Sequence, residues 1–297
     1  MVNVCRWLIS LVTAVSVITA MALPAQQTPA RQEAAPIKVS PLAKNIYLVE
    51  GGSGANCGFF VGAKDVVLID AKMSPESAKA MLAEIGKVTP LPVTRVILTH
   101  SDGDHVNGLP GLPDGLMIIA QENVKADMIK ASADLPELAH RLPSVLFKDS
   151  FDLRSDGRKI LLRHYGPAHT SGDTVVYFEP EKLAFVGDLV FIGRDPLIHL
   201  AKGGSSAGLV LTLKALLDHK PRIESFVSGH AAPASRQDVD KLIQSIQTKR
   251  DRIKAMVAEG ASLEKVKQAF GAGTDQPPGR RFPSLAEIIY RELTEKK

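Results

Sequence analysis

From residue 96 to 105 the chain reads Val-Ile-Leu-Thr-His-Ser-Asp-Gly-Asp-His, an apolar run that empties into four potential metal ligands, His100, Asp102, Asp104 and His105. In an extended turn, residues i, i+2 and i+4 project to one side, so His100, Asp102 and Asp104 can converge on one pocket. His105 then adds a ligand at the start of the next helix. The plainer alternative is a polar turn in which Asp102 or Asp104 caps that helix. A calcium loop is excluded, because the spacing to Asn107-Gly108 is wrong and Pro113 stands where a bidentate Glu is required.

Three further segments put a ligand-type side chain just past a β-like run: His169 in Gly166-Pro167-Ala168-His169-Thr170, Asp188 in Phe185-Val186-Gly187-Asp188, and His230 in Phe226-Val227-Ser228-Gly229-His230. Each alone is as ordinary as any polar loop residue. Together, four strand ends with such tips can meet at one edge of a sheet sandwich.

The elements that must position them follow from pattern. Asn45–Glu50, Asn56–Val61 and Val66–Asp70 read as an antiparallel meander, and Pro75–Val88 as a helix with Ser74 at its N-cap. Strands are expected at Val93–Leu98, Leu116–Ala120, Lys159–His164, Thr174–Glu179, Lys182–Val186 and Ser225–Val227. Helices are expected at Gln121–Ala131, from the Gly-rich stretch Gly193–Gly208 to about Leu217, and at Asp238–Ala258, Leu263–Phe270 and Ser284–Glu295. Gly203-Gly204-Ser205-Ser206 lacks the preceding strand and Lys of a phosphate loop and reads as a turn with Ser205 or Ser206 capping the next helix.

The 297 residues are 45% apolar and 23% charged, the make-up of a globular chain with a real core rather than of a disordered or multi-span membrane protein. Two cysteines, Cys5 and Cys57, cannot build a disulfide framework or a four-thiolate zinc site, so any metal must be held by His and carboxylates. A net charge of +4 without basic-aromatic clusters gives no sign of nucleic acid as a partner, and the expected partner is a small-molecule substrate. Residues 1–22 read as a cleaved signal peptide, with Arg6, an apolar Trp7–Thr19 and a small-residue cleavage site at Ala20-Met21-Ala22. An uncleaved anchor is the alternative, but Trp7–Leu23 is short against the about 20 residues a bilayer needs. The expectation is a periplasmic or secreted protein with no stable membrane insertion after cleavage. Residues 23–40, with Pro24, Pro29 and Pro36, read as a flexible leader, and 41–297 as one folded domain including the C-terminal helices. Oligomeric state is not legible.

The ligand pattern resembles that of the metallo-β-lactamase superfamily, whose signature is His-x-His-x-Asp-His followed by downstream His, Asp and His. The resemblance implies an α/β (α+β) fold, a four-layer αβ/βα sandwich with the metal centre at the sheet edges. It implies one or two Zn2+ ions, the first on His100, the residue at 102 and His169, the second on Asp104, His105 and His230, with Asp188 as the bridging carboxylate. Position 102 departs from the family in being Asp, not His, which makes the first site harder and one charge more negative and opens it to iron or manganese. The flavo-diiron branch is similar in carrying Glu there, but no flavodoxin-like stretch follows residue 230. β-Lactamases of the superfamily place Cys or Ser where Asp188 stands, whereas glyoxalase-, lactonase- and sulfatase-type hydrolases carry a bridging Asp. The resemblance therefore implies an exported metallo-hydrolase acting on an ester, lactone, thioester or related bond through water whose pKa falls from about 16 toward 7 on the metal. Asp104 is the expected catalytic residue, orienting that water or shuttling its proton. The alternatives are a β-lactamase-like amidase and a non-hydrolytic iron-binding or redox protein. Asp70 and Asp173 are candidates to accept the free ring N–H of ligand histidines, against a turn role for Asp70. His199 is a candidate to touch substrate, and the loops Gly51–Cys57 and Ile192–Ser206 are expected to set specificity.

Overall fold

In the computed structural model, which describes residues 35–155, 157–271 and 282–295, two sheets each run in chain order. The first holds β1 (Lys38–Ala43), β2 (Ile46–Glu50), β3 (Cys57–Val61), β4 (Val66–Ile69), β5 (Val93–Ile97), β6 (Met117–Gln121) and β7 (Val145–Phe147). It is antiparallel as far as β4 and parallel from β4 to β7. The second holds β8 (Ser150–Ser155), β9 (Arg158–Arg163), β10 (Val175–Phe178), β11 (Leu183–Gly187), β12 (Ser225–Ser228) and β13 (Ala234–Ser235), with β11 and β12 the parallel pair. The helices are α1 (Pro75–Val88), α2 (Gly103–Val106), α3 (Glu122–Ala131), α4 (Ser206–Asp218), α5 (Arg236–Ala258), α6 (Leu263–Ala269) and α7 (Leu285–Thr294).

The period of two along the strands builds the layers. Val67 and Ile69 of β4 join Ile97, Ile119, Ile160, Leu162, Val176 and Phe185 in a core between the sheets. Their neighbours Val66 and Leu68 face the other way, onto Ala78, Met81 and Ile85 of α1 and Val124 and Met128 of α3. Val175, Tyr177, Ala184 and Phe226 form the outer face of the second sheet under Leu209, Leu213, Val239, Ile246, Ile288 and Ile289 of α4, α5 and α7. Interior strands buried on both faces read as continuous apolar runs, and the result is helix, sheet, sheet, helix.

Among the described residues, nine strands lie where the pattern puts them, and the four that it does not reveal are the four sheet edges, β1, β7, β8 and β13. β1 carries Pro41, tolerated there because an edge strand leaves one row of N–H groups unpaired. It begins at Lys38, so the last three residues of the expected leader are already strand. The long helix begins at Arg236 rather than Asp238, which serves as the third residue of a capping box whose N-cap is Ser235. Ser205 caps α4 by accepting from the Gly208 N–H, so Gly208 lies inside that helix. The expected signal segment 1–22 and residues 23–34 of the leader lie outside the described residues.

Candidate metal centre

All seven expected ligands come from connections at one edge of the two sheets. His100 and Asp102 lie between β5 and α2, Asp104 and His105 within α2, and His169 between β9 and β10. Asp188 directly follows β11, and His230 stands one residue beyond β12, after Gly229. Asp102 does occupy the N-cap position of α2, but its carboxylate makes no capping bond, so the polar-turn alternative does not describe it.

Their ligand atoms form three groups, each within 4.8 Å: His100, Asp102 and His169; His100, His105 and Asp188; and Asp104, His105 and His230. Asp188 touches both ends of the array, its Oδ1 3.2 Å from His105 Nε2 and its Oδ2 3.0 Å from His230 Nε2 and 3.9 Å from His169 Nε2. Asp104 Oδ2 lies 2.9 Å from His230 Nε2. Only Asp104 and His230 expose their side chains appreciably, by 19% and 29%, so that end faces solvent.

Hydrogen bonds decide which ring nitrogen faces the centre. His105 Nδ1 donates to Asp70 Oδ2 at 2.8 Å, and His169 Nδ1 to the Leu197 carbonyl at 2.8 Å. His100 Nδ1 lies 3.0 Å from Thr99 Oγ1, which itself donates to Asp70 Oδ2 at 2.7 Å. Asp70 thus orients His105 directly and His100 through Thr99, leaving each Nε2 aimed inward. It does so from a left-handed backbone (φ 64°) that non-glycine residues rarely adopt, a strain held where the ligands need it. Asp173 does otherwise than expected: its carboxylate accepts from the Thr170 N–H and hydroxyl, bracing the turn after His169 rather than meeting a ligand ring.

The donor set fits a cation. His100 Nε2, His105 Nε2 and Asp188 Oδ1 are buried polar atoms that make no well-formed hydrogen bond, the last two facing each other at 3.2 Å, an arrangement that a metal ion engaging all three would satisfy. Gly229 preserves the space: a Cβ there would come within 2.4 Å of Asp188 Oδ1. Electrostatics agree. Burial opposes ionisation of Asp188 and of Asp104, but facing histidines outweigh it and hold both carboxyls below their usual range, Asp188 far below. Burial likewise opposes charge on His169, yet the Asp102 hydrogen bond and Asp188 raise it to about 9, while hydrogen bonds to Asp104 and Asp188 raise His230 to about 9. A site that binds protons this tightly supplies the same attraction to a divalent ion.

Two further side chains lie against Asp102: Lys202, which sequence pattern does not associate with the array, and His199, which it places beside the array. Lys202 Nζ donates to Asp102 Oδ1 at 2.7 Å and to the Ser101 carbonyl at 3.0 Å. His199, a candidate for touching substrate, points its Nε2 to within 2.9 Å of Asp102 Oδ2. Thr99 is the other contributor missed. No local motif marks Lys202, which stands 100 residues from its partner; only the uncancelled charge of Asp102 asks for it.

Comparison with known proteins agrees with this geometry. The alpha subunit of 2,4-dinitroanisole O-demethylase from Nocardioides sp. (strain JS1661) is 31% identical over 134 residues, which is 44% of this chain and 40% of that one. Among solved structures, a metallo-beta-lactamase from Pontibacter korlensis superposes with a TM-score of 0.60 at 19% identity, covering 70% of this chain and 99% of that one. A double mutant of the sec-alkyl sulfatase PisA1 superposes with a TM-score of 0.70 at 15% identity, covering 87% of this chain and 50% of the sulfatase. The pattern that defines the metallo-beta-lactamase superfamily matches residues 50–230, a span that contains every ligand from His100 to His230, and the chain belongs to that superfamily.

Proposed function

We propose that the protein is a metal-dependent hydrolase, with zinc as its metal, acting on an ester, lactone, thioester or related bond of a small molecule. The observation that carries this reading is the convergence of seven ligand side chains around His100 Nε2, His105 Nε2 and Asp188 Oδ1, buried inward-facing atoms that make no well-formed hydrogen bond. A divalent ion bound there supplies Lewis acidity and a water of lowered pKa. The chain's own residues do the rest. Asp104, ionised and at the exposed end, is placed to accept the proton released as water attacks. His230 holds it there at 2.9 Å. Exposed apolar side chains stand on the segments around that end. Ile192 adjoins Phe191, whose ring stacks on His230 at 6.0 Å, and Met73 follows the backbone beside Gly54 and the Asp104 carbonyl. These favour a substrate with an apolar portion.

The match to an O-demethylase subunit supports a second substrate class within the same chemistry, an activated aryl ether. Export with loss of residues 1–22 belongs to the proposal, and secreted protein that still begins at Met1 contradicts that part. The test is a panel of p-nitrophenyl acetate, a γ-lactone, a thioester, p-nitrophenyl sulfate, 2,4-dinitroanisole and nitrocefin, run with metal-loaded, chelator-stripped and Asp104→Asn protein. Metal-dependent turnover of an ester, lactone, thioester, sulfate or aryl ether, lost in Asp104→Asn, is expected. Turnover of nitrocefin alone supports the amidase alternative, and no metal-dependent turnover anywhere on the panel overturns the reading.

A further inference from the structure

The carboxylate at position 102 does not stand alone, and its surroundings divide sharply between its two oxygens. Oδ2 faces imidazoles: His169 Nε2 at 3.1 Å, His199 Nε2 at 2.9 Å and His100 Nε2 at 3.7 Å. Oδ1 faces the Lys202 ammonium at 2.7 Å. The pair is no loose surface contact, since the Asp102 side chain is 10% exposed and that of Lys202 28%. The segment that delivers the lysine is tied by its backbone to the loop carrying His169. His199 N–H donates to the His169 carbonyl at 2.8 Å, Ser171 N–H to the Lys202 carbonyl at 2.9 Å, and Ser205 N–H to the Ala168 carbonyl at 2.7 Å. Gly204 lets the two strands of chain approach so closely that a Cβ there would meet the His169 carbonyl at 2.3 Å. One loop pair therefore fixes an imidazole ligand and a cation together.

Resting on the metal-centre reading above, we infer that Lys202 is a positioning residue that cancels the charge of Asp102 and confines it to one metal-facing oxygen, so that Asp102 with Lys202 replaces a neutral imidazole. The first site then carries the net charge of an all-histidine site and is not the harder, more negative site that Asp102 alone implies. The two substitutions are coupled: a chain with His at 102 has no use for the lysine, whose ammonium would face the ion with no carboxylate between.

The test is a double-mutant cycle on metal affinity, independent of turnover. Zinc and cobalt(II) affinities of the first and second ions are measured by chelator competition for wild type, Asp102→His, Lys202→Met and the double variant, with circular dichroism confirming the fold of each. The inference expects Asp102→His to weaken one ion by more than about tenfold and the double variant to bind it at least about fivefold more tightly than Asp102→His. Lys202→Arg, keeping the charge, is expected to retain the wild-type cobalt(II) spectrum. Asp102→His binding as tightly as wild type, or a double variant no tighter than Asp102→His, overturns the inference and leaves the hydrolase reading standing. A wild type that binds no divalent ion overturns both.

Discussion

The two ends of the metal centre are built from similar ligands and held in different ways. At one end His100, Asp102 and His169 are buried, with side chains at most 10% exposed, and are fixed by a loop carbonyl, the Thr99 hydroxyl and Lys202. At the other, Asp104 and His230 reach solvent, and their loops are sewn to the segment after β2: Ala55 N–H donates to the Asp104 carbonyl, and Asn56 N–H to the Gly229 carbonyl. The enclosed end is closed to solvent; the open end reaches it and is where the proposed function puts the substrate. His105 and Asp188 belong to both, and Asp70 supports both from behind.

The comparison breaks most severely at the shared histidine. His105→Ala removes a ligand whose Nδ1 also anchors Asp70, and turnover is expected below about one-thousandth of wild type with the fold intact by circular dichroism. Full activity in this variant would contradict any role for the centre. Asp70 separates the ends next. Asp70→Asn is expected to weaken both ions by about 10- to 100-fold in chelator competition, because its carboxylate serves His105 directly and His100 through Thr99. Thr99→Ala is expected to act mainly on the ion at the enclosed end, and an equal loss at the open end would show that the two are not held separately.

A smaller effect is expected at Gly229. Its Cβ in Gly229→Ala would crowd Asp188 Oδ1 and the His105 ring, so the structure must shift, at about 1–3 kcal/mol, with a weaker ion at the open end. Guanidinium unfolding and zinc competition measure the two parts. The stripped protein is also expected to respond to pH. His169 and His230 have folded pKa values of about 9, above their unfolded value near 6.5, so their stabilisation is full below about pH 6.5 and is lost as pH rises through about 9. The unfolding midpoint of chelator-stripped protein is expected to fall across that window. Zinc uptake at pH 7 is expected to release protons, read with a pH indicator in weak buffer.

How much of this the sequence carries depends on where information is local. The nine interior strands are legible because burial leaves apolar residues along them, in unbroken runs such as Val66–Ile69 and Leu183–Gly187 or in shorter ones such as Ile160–Leu162. The four edge strands are not, because β7 and β13 are very short and the longer β1 and β8 are half-exposed and carry Pro41 or the polar alternation of Ser150–Ser155. The ligands are legible for a related reason: each lies in a connection that follows such a run. Their supports are not. Thr99 looks like the end of a strand, and Lys202 like one more cation in a Gly-rich loop, until the fold brings it across 100 residues to Asp102. Asp173 has the right chemistry for a ring partner, but the nearby Thr170 N–H and hydroxyl claim it first.

The most direct test is the number of divalent ions the centre holds. Protein purified without a His tag, stripped by chelator and titrated with zinc, is predicted to take up two equivalents per chain by elemental analysis, the second more readily removed because its ligands Asp104 and His230 face solvent. Uptake of one equivalent or none would contradict the account of a two-ended centre bridged by Asp188.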